Sequence, residues 1–250
     1  MKILKPLLFI LFYSSVANAQ IVNIESARMQ SDTTGWMGGA GANVTLAKNT
    51  QNIFIFNADA HLQYKTQKDL WLILASSNLL KAGEERFFNN TFLHLRYNRK
   101  ITNVLRWEVF AQGQNNQVTQ IDSRFLVGTG PRFKILSNNV IRLYAASLVM
   151  YEREKERTEP VVTHSDIRNS SYASFTITPG HTTEIITTTF FQPLFKKFSD
   201  YRIMNQTSLK VKASKHFAVA LHLNYLYDRF PAGTAPKTTY NFSSGIEFTF

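Results

Sequence analysis

Apolar and polar residues alternate along most of the chain with a period of two. In segment 54–64, every second residue is apolar, while Asn57, Asp59, His61 and Gln63 occupy the other positions. Segments 105–112 and 217–228 show the same pattern. Because successive side chains of a strand point to opposite faces, the pattern predicts β-strands with one apolar and one polar face. Alternating segments of about ten residues or more, separated by turn residues, are typical of transmembrane β-barrels.

Breaks rich in Gly, Pro, Asn, Asp, Lys and Ser divide the chain into twelve predicted strands. The strands are predicted at 35–48, 52–65, 69–79, 88–99, 103–115, 120–135, 140–153, 165–178, 183–194, 200–213, 216–228 and 238–250. An even number of strands returns both ends of an up-and-down barrel to the same side of the membrane. The sequence therefore predicts an all-β, antiparallel, transmembrane up-and-down barrel.

The connections between these strands alternate in length. Short ones are predicted at 66–68, 100–102, 137–139, 179–181 and 214–215, and longer ones at 81–86, 114–119, 152–164 and 229–237. Short periplasmic turns and longer outer loops are the rule for such barrels. The connection at 48–51 is an exception, since it belongs to the outer set and is short. The hydrophilic run 152–157 falls in the largest predicted outer loop, as a solvated extension of a hairpin.

Two prolines interrupt predicted strands. Proline has no N–H to donate to a strand ladder and is expected at edges or bulges. Pro131 follows Gly128 and Gly130, which predicts a bulge at that point. Pro193 predicts that its strand ends early.

The first residues have the pattern of a secretory signal peptide. Lys2 and Lys5 precede an apolar run over 6–13, and small residues follow as far as Ala19. The apolar run is too short for a membrane-spanning helix, which needs about 20 residues. The sequence therefore predicts a signal peptide at 1–19 cleaved after Ala19, a short periplasmic segment at 20–34 and a barrel at 35–250. Export through the secretory pathway to the outer membrane of a Gram-negative bacterium follows.

The last strand carries a further indication of biogenesis. Its alternate residues Tyr240, Phe242, Ile246, Phe248 and Phe250 share one face. This segment resembles the carboxyl-terminal β-signal of bacterial outer-membrane proteins. The resemblance implies the barrel assembly machinery as a partner during biogenesis, with Phe250 closing the last strand on the periplasmic side.

The central segments 91–98, 108–112 and 124–132 resemble the outer-membrane barrels of domain-of-unknown-function family 481. That group includes proteins described as salt-induced outer-membrane proteins, and this chain is most similar to the Bacteroidetes type. The resemblance implies a cell-envelope barrel. Because the function of the family is not established, it implies no catalytic residue.

Composition narrows the classes of partner. The formal net charge is +11 and the chain has no cysteine, which excludes disulfides and thiolate metal sites. An exported basic protein is expected to meet outer-membrane lipid, lipopolysaccharide phosphates or small anions rather than nucleic acid. The six histidines are dispersed, so the sequence predicts no metal and no cofactor. It leaves the oligomeric state open.

The candidate functional residues are charged or titratable groups on the predicted inward faces. Inside a barrel such groups either pair with one another or line a wet channel. Ion pairing that holds strands in register is the favoured role, and Arg106, Glu108 and Arg124 are suited to it. The lumen candidates are Asp59, His61, His94, Arg96, Arg106, Glu108, Arg124, Arg132 and Glu247.

The leading functional hypothesis is a non-enzymatic, porin-like barrel. It is either a narrow passive pore for small, anionic solutes or a closed barrel that supports the envelope. One alternative is a lipid hydrolase using His164, Ser165 and Asp166 with His222 or His94. Adjacent strand residues face opposite ways, however, so His164 and Ser165 cannot meet in a regular strand. A third possibility is a surface-binding module that uses the loop 152–164.

Overall fold

Twelve antiparallel strands make up the part of the chain that the structure describes, each hydrogen-bonded to the next along the chain. The computed structural model describes residue 24 and residues 34–48, 51–83, 85–180, 182–214 and 217–248, with side chains except at 85–88 and 247–248. The predicted signal peptide and Phe250 lie outside the described residues. The strands are β1 (Gly35–Lys48), β2 (Asn52–Lys65), β3 (Asp69–Ala82), β4 (Glu85–Lys100), β5 (Leu105–Asn116), β6 (Ile121–Ser137), β7 (Ile141–Glu156), β8 (Thr163–Ile177), β9 (Thr183–Leu194), β10 (Lys197–Lys212), β11 (Phe217–Asp228) and β12 (Thr238–Phe248).

The prediction of twelve up-and-down strands is confirmed. Every boundary lies within three residues of its predicted position. Within the described residues, no helix is long and apolar enough to cross a membrane.

The sheet curls, so that strands far apart in its order come together. Arg202 on β10 bonds to Glu152 on β7, and Gln120 before β6 donates a hydrogen bond of 2.8 Å to Thr234 before β12. The hydrogen-bonded order of the strands runs from β1 to β12. Among the residues that the structure describes, β1 and β12 are not paired with each other. Curling gives every strand one inward and one outward face. We call the end where β1 begins the periplasmic end and the opposite end the outer end.

The outward face has the features of a surface that meets lipid. Trp36, Trp71 and Trp107 lie at the periplasmic end and are 67%, 53% and 44% exposed. Two of them contact tyrosines on the next strand, with ring centroids 4.7 and 4.3 Å apart. Apolar side chains follow toward the outer end, including Leu93, Leu95, Val109, Val127, Val149 and Ile167. An apolar band beside a girdle of aromatic residues is the lipid-facing pattern of outer-membrane barrels.

Neither proline has the predicted effect. The pairing of β6 with β7 keeps one register across Pro131, from Thr129↔Val149 to Arg132↔Ala146, so the predicted bulge at Pro131 is wrong. The side chain of Pro131 lies on the outward face. The strand pairing loses the N–H of this residue but keeps its register on both sides of it. The prediction that the strand ends early at Pro193 is also wrong, because β9 continues to Leu194. The irregularity lies on β10, between Lys197 and Tyr201 opposite this proline.

The predicted outer loop 152–164 is mostly strand. β7 continues to Glu156 and β8 begins at Thr163, so the connection is 157–162. Glu152 and Glu154 are 2% and 3% exposed. In the sequence, the charged run 152–157 resembles a solvated loop. In the structure, its alternate residues Glu152 and Glu154 face inward and form ion pairs.

Glycines at inward positions of β6 make room for neighbouring side chains. A Cβ on Gly130 would lie 2.4 Å from the backbone oxygen of Ser147 and 2.7 Å from Cα of Leu148. We expect Gly130→Ala to lower the free energy of unfolding by about 1–3 kcal/mol, because β7 must move away. Gly113→Ala is the matched control, since no atom lies within 4 Å of that position. Urea unfolding of both variants in detergent tests this, and equal stabilities would contradict it.

Candidate functional site

The periplasmic half of the interior holds a buried cluster around Glu108, which we call the inner cluster. Its carboxylate accepts a hydrogen bond of 3.2 Å from Nη1 of Arg132 and one of 2.5 Å from the hydroxyl of Tyr172. Nη1 of Arg96 lies 3.6 Å from the same carboxylate. Glu108 is 0% exposed, Arg132 1% and Arg96 4%. Two guanidinium groups thus share one carboxylate out of contact with water.

Strand register and aromatic side chains position this cluster. Arg96 donates from Nε to Nε2 of His94 at 3.2 Å, and Nδ1 of His94 lies 2.9 Å from Oε1 of Gln112. The guanidinium of Arg132 lies 4.1 Å from the ring centroid of Tyr144. Stacking on an aromatic ring favours a desolvated arginine. The cluster is therefore fixed from β4, β5, β6, β7 and β8.

An apolar layer lies next to the inner cluster. It consists of the buried side chains Phe110, Leu126, Ala146, Leu148, Met150, Tyr172 and Phe190, with Met204 packed against them. A second group contains Leu72, Leu74, Phe92 and Ile24, which precedes β1 in the chain. The inner wall of the barrel therefore has an apolar patch between its charged ends, centred on β5, β6 and β7.

A second ionic cluster, the outer cluster, lies at the outer end around Arg202. Its guanidinium bonds to Glu152 at 2.8 Å, to Glu154 at 3.2 Å and to Asp228 at 2.7 Å. Arg124 also pairs with Glu154, and Arg168 lies 3.7 Å from Glu152. Side-chain exposure in the central Arg202 pairs is between 2% and 11%. These pairs connect β6, β7, β8, β10 and β11.

A cavity of about 90 Å³ lies between the two clusters. Its wall includes Arg96, His94, Phe110, Met150 and Arg202. A buried water needs about 10–15 Å³ of such space, so the cavity has room for a few waters or a small solute. Among the described residues, no group of three or more His, Asp or Glu side chains is arranged to hold a metal ion.

The structure distributes the predicted lumen residues over several environments. His94, Arg96, Glu108 and Arg132 come together in the inner cluster. The other described candidates share the inward face: Arg124 in the outer cluster, Arg106 half-buried 5.7 Å from the Tyr144 ring, His61 half-buried and Asp59 exposed. The side chain of Glu247 lies outside the described residues. Of the three residues expected to be pairing neighbours, Glu108 binds Arg132 and Arg96, and Arg124 binds Glu154.

Sequence reasoning missed the central residues of the outer cluster: Glu152, Glu154, Arg168, Arg202 and Asp228. The alternation of β7 contains a signal, because Leu148, Met150, Glu152 and Glu154 share one parity and continue the strand into the charged run. Assigning the charged run 152–157 to a loop hides this alternation.

Residues 39–250 match the profile of the family described as protein of unknown function, DUF481. No curated protein sequence matches the chain.

Solved structures with a similar fold include a NanC porin, with a TM-score of 0.51 at 9% identity over 86% of this chain and 99% of that one. The translocator domain of the autotransporter NalP from Neisseria meningitidis has a TM-score of 0.47 at 7% identity, over 90% and 92% of the two chains. A bacterial polysaccharide outer membrane secretin has a TM-score of 0.44 at 10% identity, over 86% and 85%. The likeness to the porin supports the outer-membrane β-barrel fold.

Proposed function

The chain belongs to the DUF481 family of proteins of unknown function, and from its interior we propose that it is a closed outer-membrane barrel that forms no open diffusion pore. The protein has the fold of an outer-membrane β-barrel. Of the two forms of a porin-like barrel that the sequence allows, the packing of the interior supports the closed, envelope-supporting one.

The observation that carries this proposal is the burial of inward side chains on the strands from β2 to β11. Each strand from β2 to β11 contributes at least one inward residue that is at most 6% exposed: Gln63, Leu72, Arg96, Glu108, Arg132, Ala146, Ser174, Thr188, Gln206 and Ala220. Wide barrels leave such positions in contact with a water-filled channel. Here neighbouring groups bond to one another instead, as Thr188 does to Ser174 at 3.0 Å. The adjoining apolar layer adds a region that water wets poorly.

Planar-bilayer recording tests the closed state. We expect purified wild-type protein, shown to be folded by its heat-dependent migration on gels, to insert without stable conductance steps. We expect the side chains of the inner cluster and the apolar layer to obstruct the flow of ions through that part of the barrel. Regular, long-lived openings of the wild type would overturn the proposal and support the narrow pore.

Two variants serve as controls for an absence of conductance in the wild-type protein. Arg132→Ser removes the largest of the fully buried side chains and should produce measurable leak currents, while Arg96 stays beside Glu108. Arg99→Ser removes the same charge from a side chain that is 53% exposed and should stay silent. If neither variant conducts although both are folded, the inner cluster is not the barrier.

The proposal is non-enzymatic. It is supported by the position of His94, one of the histidines considered for hydrolysis, which is 1% exposed inside the barrel and bonds to Gln112 and Arg96. The proposal also includes export with cleavage after Ala19, insertion by the barrel assembly machinery and contact with lipopolysaccharide. The alternation of Tyr240, Phe242 and Ile246 on the outward face, 76%, 53% and 77% exposed, supports the assembly signal.

A further inference from the structure

Charges on the inward face are distributed unevenly along the axis of the barrel. Six basic residues face inward near the periplasmic end: Lys65, Arg106, Lys134, Arg142, Lys210 and Lys212. At the outer end the inward acids Glu152, Glu154 and Asp228 are paired with Arg124, Arg168 and Arg202. The positive charge of the interior is therefore greatest at its periplasmic end.

The basic residues surround a recess that water can enter, which we call the periplasmic vestibule. Five of the six are half-buried and Lys212 is exposed, in contrast to the buried Arg96 and Arg132 farther in. The inner limit of the vestibule is formed by the ring of Tyr144 and the guanidinium groups of Arg106 and Arg132. The guanidinium of Arg106 lies 5.7 Å from the centroid of that ring, and the guanidinium of Arg132 lies 4.1 Å from it.

Two acidic residues occupy inward positions at this end, Glu184 and, by its register opposite Ala218, Glu247, so the six basic residues outnumber them. Among the inward side chains described at this end, Glu184 shares the vestibule, 3.7 Å from Arg142 and opposite Lys210 in the register. Glu108 lies deeper and is engaged in the inner cluster. A recess lined by charges of one sign within low-dielectric walls concentrates the field and attracts counter-ions.

We propose that the periplasmic vestibule binds small multivalent anions of the phosphate or polycarboxylate class from the periplasmic side. Lysine and arginine side chains face inward from β2, β5, β6, β7 and β10, and neighbouring ones can contact several oxygens of one such anion. The recess is enclosed by the strands, which favours a solute over a folded acidic protein domain. The inference does not depend on conduction, because an anion can bind in the vestibule whether or not the interior is closed.

Isothermal titration of full-length protein in zwitterionic detergent with tripolyphosphate at low ionic strength tests the proposal. We expect saturable binding that weakens as salt is added, because screening reduces the attraction. The triple variant K134Q/K210Q/K212Q should bind about tenfold more weakly or worse, since each charge contributes a modest share. All three lysines reach water, so the variant should keep its fold, and thermal unfolding of both proteins checks this.

The control is K48Q/K81Q/K155Q, which removes the same charge from outward-facing positions at the outer end. Unchanged affinity in the control and loss in the vestibule variant support the proposal. An equal loss in both variants would show a response to net charge alone and overturn it, as would undetectable binding to the wild type. Binding of an acidic peptide but not of tripolyphosphate would identify a polypeptide partner and also overturn it. Bilayer recordings test the closed interior separately, so either proposal can fail alone.

Discussion

Replacement of Arg202 by methionine is expected to lower the free energy of unfolding by about 3–5 kcal/mol, the usual effect of removing one partner from a buried ion pair. Arg202 binds three carboxylates, of Glu152, Glu154 and Asp228, at 2.8, 3.2 and 2.7 Å. Methionine fills similar space and leaves these acids with fewer cations, Arg168 beside Glu152 and Arg124 beside Glu154. Repulsion between the remaining carboxylates and their burial away from water then both lower the free energy of unfolding. Urea unfolding followed by tryptophan fluorescence in phospholipid vesicles measures the loss.

Arg99→Met is the matched control for this variant. Arg99 pairs with Asp69 at 3.0 Å, but its side chain is 53% exposed, and an exposed pair contributes less than about 1 kcal/mol. Adding Glu152→Gln to Arg202→Met should recover part of the lost stability, because one excess acid is removed. Equal unfolding midpoints of Arg202→Met and Arg99→Met would show that the outer cluster does not stabilise the barrel.

Glu108→Gln is expected to have an effect of the same order, about 3–5 kcal/mol. The substitution preserves shape but removes the negative charge that Arg132 and Arg96 face at 3.2 and 3.6 Å. Both guanidinium groups also lie 5.9 Å from the centroid of the Tyr172 ring. They would then repel each other in a region without water. The same urea experiment measures the effect.

Glu184→Gln is the control for the inner cluster. It also removes one carboxylate that faces an arginine, but Glu184 and Arg142 are 35% and 30% exposed, so water screens the change and the expected loss is below about 1 kcal/mol. The double variant Glu108→Gln with Arg132→Gln should be more stable than Glu108→Gln alone. A Glu108→Gln protein as stable as the wild type would mean that the inner cluster does not need its carboxylate.

The inner cluster and the outer cluster are the two places where the interior holds charged groups away from water. Between them lies the apolar layer around Leu148 and Met150, so the barrel is packed much like a small soluble β-barrel over this part of its length. The proposed closed state rests on this packing. The vestibule at the periplasmic end stays open to water and retains its positive charge.

The sequence by itself determined the strands and the face on which each residue lies. Side-chain direction in a strand has a period of two, a local property, so the alternation in 54–64 or 217–228 separates inward from outward residues without further information. It therefore placed His94, Arg96, Glu108 and Arg132 on the inward face. It did not reveal that β7 continues through Glu154 to Glu156, because charged residues at a strand end resemble a solvated loop.

Only the tertiary structure decided which inward residues meet. Arg202 and Glu152 are three strands apart in the sheet, and their contact depends on how far the sheet curls and how the strands stagger. Curl and stagger are sums over all strand pairs, and no local pattern encodes them. For the same reason alternation could not distinguish a wet channel from a packed interior. Phe110 on β5 and Leu148 and Met150 on β7 form one apolar layer only because the two strands turn these side chains toward one another.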